Sequence, residues 1–458
     1  MKRVNITVIP DFTPSIKSIS VLTRLVPIKL SNPAKMMLKT VALKTGVFLP
    51  PLNLFKRSQA LCGSIISSDR LVQQIMRILS FKTVIFSGKD NSFYLFICNF
   101  VNQILNNLNM YEALLVIATI AVILISLWLY FPFAEKKGLL AGVNHRSSHS
   151  KPVVTGAGFI FFISYIFYII SSVLFSTWEI PWALFIGISM LAIVSYIDDL
   201  KDLWFLIRLV VQLVAVALML YQIYLDFSVD ILAMNASVLI LLVIVGVIFS
   251  IGFVNLYNFM DGLNGMMSGI TISALCVFAL IDFFVVDFVD DSLILYTAIP
   301  TLVFTFFNFR KQAKCFAGDV GSVVLGFVMV YMLISLLMET SNVVYAFIFV
   351  SVYLEAGMTV IQRLLAGQNI FKPHRIHMFQ LLCNEYKHSH LVVSSLYALN
   401  QLVFGAIIVT LNFYKVGDLT QNIVIISLFV VETVAYFIYK RKLMGGHLLE
   451  SLKDKNNN

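Results

Sequence analysis

The sequence predicts an all-α polytopic membrane protein, and three observations carry that prediction. The chain is 59% hydrophobic and only 12% charged over 458 residues, whereas a soluble domain carries about 25% charge. Apolar runs recur from residue 110 onward, each close to the roughly 20 residues that a membrane-spanning helix needs. The charges that remain sort by sign into alternate loops, as the positive-inside rule describes. Open β structure is excluded, because every backbone N–H and C=O inside lipid needs an internal partner.

Residues 1–109 come first and differ from the rest. They carry 14 Lys/Arg against 3 Asp/Glu, a net of +11, while residues 110–458 carry 19 against 21, a net of −2. Their longest apolar stretch, "SFYLFICNF", is too short to span. They also lack a basic start leading straight into an apolar segment and a cleavage site, so no secretory signal is read there. Residues 1–109 are therefore expected to be a basic extension that is non-native or disordered, with the working protein starting near Met110. The alternative is a basic arm that touches anionic lipid.

Spans are expected near 112–133, 157–176, 182–197, 203–225, 231–254, 264–286, 292–307, 321–338, 343–361, 392–412 and 423–439. That makes about 11 transmembrane helices within a domain at 110–442, followed by a polar tail at 443–458. The run at 292–307 is the weakest, because Pro300 interrupts it. One set of loops holds Lys136, Lys137, Arg146, Lys151, Lys201, Arg310, Lys311, Lys314, Arg363, Lys372, Arg375, Lys387 and the "KRK" at 440–442. The alternate set holds Glu179, Asp226, Asp230, Asp287, Asp290, Asp291, Glu339 and Asp418, with Lys415 its one basic residue. The first set and the C-terminus are expected on the cytoplasmic side.

Every polar motif falls on that side, which points to an active site at the cytoplasmic face. The five cysteines form no C-x-x-C pair, so neither a disulfide framework nor a zinc site is read. "SYIDDLKD" closes the third helix with Asp198 and Asp199. Acids at a helix C-terminus oppose its dipole, so paired carboxylates there suit a divalent cation or a base better than a structural cap. In "NLYNFMDGLNG" (255–265), Asn258 and Asp261 share a helix face at i, i+3, and Gly262 and Gly265 admit a backbone or a ligand. The structural alternative is a helix start with Asp261 as N-cap. In "AGDVGS", Asp319 is an N-cap or, at a helix start rich in small residues, the carrier of a cation that bridges a diphosphate. "KPHRIHMF" places His374 and His377 around Arg375, donors suited to phosphate oxygens, or an ordinary basic loop. Lys151 in "HRSSHSKPVVTGAG" reads the same way. Together these suit diphosphate chemistry on a lipid substrate.

The order "SKPVVTGAG", "DD", "NFMDGLNG", "GDVGS", "HRIH" resembles the polyprenyl-phosphate N-acetylhexosamine-1-phosphate transferases, relatives of phospho-N-acetylmuramoyl-pentapeptide transferase, over residues 110–442. The resemblance implies a multi-pass enzyme of the bacterial inner membrane. Such an enzyme transfers a sugar-1-phosphate from a UDP-N-acetylhexosamine to undecaprenyl phosphate, releases UMP and needs Mg²⁺. It implies metal binding by Asp319 and Asp199, and a catalytic role for Asp198, Asp199 and Asp261. It assigns substrate contacts to Lys151, Asn258, His374, Arg375 and His377. It implies a lipid-bilayer setting and no nucleic acid, and it leaves a homodimer open. "HRIH" departs from the triple histidine of the peptidoglycan enzyme, and Ala157 replaces a frequent glycine. The branch that starts O-antigen, capsule or other surface polysaccharides is favoured, with the amino sugar open. The rival reading is a transporter with a carboxylate-lined site, which would place its acids near the bilayer midplane; a phosphotransferase of the CDP-alcohol type would need a D-G-x-x-A-R run that "DGLNGM" lacks.

Overall fold

The structure is a computed structural model and describes residues 109–141, 152–176, 178–201, 203–227, 231, 234–369 and 376–445. The expectations for residues 1–108, Lys151, His374 and Arg375, and for the tail beyond residue 445, lie outside the described residues.

Each expected span is a helix, and the chain is an all-α polytopic membrane protein. The helices are α1 (Met110–Lys137), α2 (Phe159–Phe175), α3 (Trp182–Lys201), α4 (Phe205–Asp226), α5 (Ala236–Asn258), α6 (Met266–Phe284), α7 (Asp291–Asn308), α8 (Gly318–Thr340), α9 (Val343–Leu365), α10 (His390–Phe413) and α11 (Asp418–Leu443). Ten are long and apolar enough to cross a membrane, and α2 is a shorter apolar helix. The boundaries moved where polar groups decide them. The fifth helix begins at Ala236 because the Asn235 side chain caps it, accepting from the Ser237 amide at 2.9 Å. The eighth begins three residues earlier than the apolar run does, because "GDV" is helical.

Pro300 does not break α7. A proline removes the N–H that would bond to the carbonyl four residues back, here that of Tyr296. Ser164 of α2 donates to that carbonyl at 2.5 Å instead, and both residues are buried. The vacancy in one helix is filled by its neighbour, as bilayer-embedded prolines require.

Nearly all of α8 is buried, and it packs against α2, α3, α5 and the start of α9. The outer helices α1, α5 and α11 expose long apolar faces, which is where lipid would lie. The central helix therefore aims its N-terminus at the loops that carry the polar motifs. One of these, the stretch after the short strand Val153–Val154, is stitched to the residues before α8. Phe316 N–H donates to Val154 O (2.8 Å), Ala157 N–H to Phe316 O (3.1 Å) and Gly158 N–H to Ala317 O (2.9 Å). The two backbones approach so closely that a Cβ on Gly158 would lie 2.2 Å from the Cα of Gly321.

Candidate active site

The start of α8 gathers residues from three distant motifs. A helix N-terminus presents unpaired amides and a partial positive charge, and here carboxylates from other helices take them. Asp199, at the end of α3, accepts from the Asp319 amide (3.0 Å) and the Val320 amide (3.1 Å) through its two oxygens. Asp261 accepts from the Gly318 amide at 3.1 Å. The dipole of α8 thus compensates Asp199 for its place against the dipole of α3. Gly318, at φ +70°, leaves room for this: a Cβ there would meet the Asp199 carboxylate at 2.7 Å. The expectation of Asp319 or Asp261 as the N-cap of its own helix is corrected, since neither α8 nor α6 has a side-chain cap and Asp261 lies in a 3₁₀ turn, Phe259–Gly262.

Asp319 is the second residue of α8 and half-buried. One of its oxygens accepts from the Asn258 amide group at 3.2 Å, and the other lies 3.7 Å from Arg208. Asn258 is fixed in turn by Ser322, whose hydroxyl donates to it at 2.5 Å. Asp198 meets this cluster at Arg208, whose guanidinium also approaches Asp319. It is buried, and its oxygens accept from Leu203 N–H at 2.6 Å and from Arg208 at 2.7 Å. The adjacent aspartates therefore divide: Asp198 anchors the α3–α4 junction, and Asp199 faces the site.

"NLYNFMDGLNG" holds four elements together. Asn255 donates to Gln212 of α4 (3.1 Å), Asn258 to Asp319 of α8 and Asp261 accepts from Gly318. Asn264 donates to the Arg310 carbonyl at 2.8 Å. The glycines of this motif lie close against aromatic side chains. A Cβ on Gly265 would lie 2.0 Å from the Phe309 ring, and one on Gly262 would lie 3.3 Å from Phe379.

His377 is buried, not surface-exposed in a basic loop. Its Nδ1 lies 3.2 Å from Glu355 of α9, and its ring stacks on Phe379. Cys315 packs beside the site, and burial pushes its thiol up to about 12, so it is a protonated packing group and not a nucleophile. Arg208, inside the apolar span of α4 and not among the expected site residues, joins Asp198 and Asp319. An isolated cation in an apolar run was the available signal. Three carboxyl groups, those of Asp199, Asp261 and Asp319, thus gather near one guanidinium. Among the described residues, no three His, Cys, Asp or Glu groups stand close enough to hold a metal ion by themselves.

The sequence model described as glycosyl transferase family 4 matches residues 181–337, which include Asp198, Asp199, Asn258, Asp261 and Asp319. A phospho-N-acetylmuramoyl-pentapeptide-transferase of Staphylococcus carnosus is 31% identical over 131 residues, 29% of this chain and 40% of that protein. Its Staphylococcus aureus counterpart is 30% identical over the same shares. A probable undecaprenyl-phosphate N-acetylglucosaminyl 1-phosphate transferase of Bacillus subtilis is 26% identical over 255 residues, 54% of this chain and 71% of that protein. The match thus spans two fifths of the length of the muramoyl relatives and more of the third. Over residues 181–337, which include the loops that meet at the start of α8, the chain is similar to glycosyl transferase family 4.

Proposed function

We propose that this protein transfers an N-acetylhexosamine-1-phosphate from a UDP-sugar to undecaprenyl phosphate, releasing UMP. This is the first step in building a surface polysaccharide such as O-antigen or capsule. The observation that carries the reading is the convergence of Asp199, Asp261, Asp319 and Asn258 at one helix N-terminus on a single membrane face. An oxygen of the lipid phosphate attacks the phosphorus that carries the sugar. The bond from that phosphorus to the bridging oxygen breaks, and UMP leaves with the electron pair. The lipid phosphate is already an oxyanion, so the protein mainly positions it and offsets charge.

The oxygen donor set suits Mg²⁺, which is commonly held by one or two carboxylates together with substrate phosphates and water rather than in an all-protein cage. Asp319 and Asp199 are the residues that would hold it. When bound, the ion shields the diphosphate oxygens. Asn258 and Asp261 orient Asp319 and the first turn of α8. Asp199, which sits at the α8 N-terminus beside Asp319, is the group favoured to assist the attacking phosphate, and Asp198 is tied to Leu203 and Arg208 at the α3–α4 junction. Arg208, 41% exposed, shares the developing charge. His374, Arg375 and Lys151 belong to loops that would contact the donor. The site would face the cytoplasm of a bacterial inner membrane, and a homodimer is compatible with this reading.

The name of the Bacillus relative makes UDP-N-acetylglucosamine the first donor to try. The test uses membranes containing the protein, undecaprenyl phosphate, Mg²⁺ and a panel of UDP-amino sugars, with UMP and lipid-linked product followed. Product from one donor that disappears in Asp319→Asn, and on chelation of the metal, supports the reading. No product from any donor overturns it.

A further inference from the structure

Glu355 lies fully buried in the middle of α9, at a π-helical turn spanning Tyr353–Gly357. A carboxylate in that position is expensive unless several donors meet it, and π turns are frequent at functional sites. One oxygen of Glu355 accepts from the Met378 amide at 2.7 Å and faces His377 Nδ1 at 3.2 Å. The other accepts from the Tyr397 hydroxyl of α10. One helical turn further on, Thr359 accepts from the buried Lys440 of α11 at 2.9 Å. A single acid thus ties α9 and α10 to the segment that ends the last cytoplasmic loop.

That segment presses on the site. The His377 ring is stacked on Phe379 (5.2 Å between centroids) and tilted against Phe259 (5.9 Å). Phe259 opens the turn that carries Asp261, and at the turn's other end the Phe379 ring lies 3.3 Å from where a Cβ on Gly262 would stand. The turn is therefore held on one side by the Gly318 amide and on the other by the His377–Phe379 pair. We propose that Glu355 is a positioning residue: through His377 and the Met378 amide it sets, from within the membrane, the placement of the turn that bears Asp261. The role in catalysis rests on the transferase reading above; the mechanical coupling does not.

The test is a double-mutant cycle of Glu355→Gln, His377→Asn and both, in the full chain. Glu355→Gln keeps the volume and an acceptor but removes the charge. Each single variant is expected to melt below the parent, since each breaks a buried charged contact, and also to raise the KM for the UDP-sugar about tenfold, one lost charge-assisted contact, with the KM for lipid phosphate unchanged. The double variant is expected to be no worse than the worse single one. Additive losses, or a fall in melting temperature with unaltered donor KM, overturn the proposal and leave Glu355 a structural anchor.

A second readout needs no turnover. Cys383 is buried just after this segment, and its labelling by a maleimide is located by mass spectrometry. Labelling is expected to rise equally in the two single variants and no further in the double. Unchanged labelling in Glu355→Gln overturns the coupling. If the parent protein transfers no sugar, the transferase reading fails alone, and this thiol cycle still decides the coupling.

Discussion

The two neighbouring aspartates show how residue-scale chemistry separates roles that a "DD" pair leaves merged. Asp198 satisfies the Leu203 amide and Arg208. Asp198→Ala would orphan a backbone donor and free the guanidinium to turn toward Asp319. It is expected to cost about 2 kcal/mol of stability, read as a lowered melting temperature in detergent. Asp199→Asn keeps one acceptor for the two α8 amides and loses the charge. It is expected to melt within a few degrees of the parent while kcat falls about 100-fold or more, the scale of a removed electrostatic group. Equal losses of melting temperature in both variants would show that the division of labour is wrong. Asp198, Asp199, Asn258, Asp261 and Asp319 were legible as a set from the sequence. Their division was not, because Asp199 meets its partners 120 and 121 residues along the chain, and no local pattern encodes that pairing.

At the scale of elements, helix existence was easy to read and helix interruption was not. Span length and apolarity are local properties, so each of the eleven runs was visible. Pro300 marked a weak run at 292–307, yet the compensating donor sits on α2 in Ser164, and only the packing reveals it. Ser164→Ala would leave the Tyr296 carbonyl without its donor and is expected to destabilise by about 1 kcal/mol, typical of interhelical hydrogen bonds in membranes. Pro300→Ala in the Ser164→Ala background is expected to restore most of that loss, because the new N–H can reach Tyr296 within α7. Failure to rescue would separate Ser164 from the proline. Glu355 was a harder case. An acid inside a span reads equally well as a transport group, and its partners His377, Met378 and Tyr397 come from α10 and the loop before it. Its pairing, with that of Gln212 and Asn255, removes much of the motive for a midplane transport site.

The described residues are organised around one buried helix, α8, whose N-terminus meets Asp199 and Asp261. The sign asymmetry of the loops predicts the cytoplasmic face for that end, and the proposed chemistry requires it, because UDP-sugars are supplied and UMP is released there. Lys311 lies in the exposed loop before α8, and Gly417 lies in the exposed loop between α10 and α11, with nothing within 4 Å of a Cβ built there. In a variant without the exposed Cys276, Gly417→Cys is expected to react with a membrane-impermeant maleimide on intact cells. Lys311→Cys is expected to react only after the membrane is opened. The reverse pattern would put Asp199, Asp261 and Asp319 on the outer face, away from any nucleotide donor. The transferase reading could not survive that result even if the fold stood. The sidedness test therefore probes function through topology alone, and it needs neither the identity of the sugar nor a working assay.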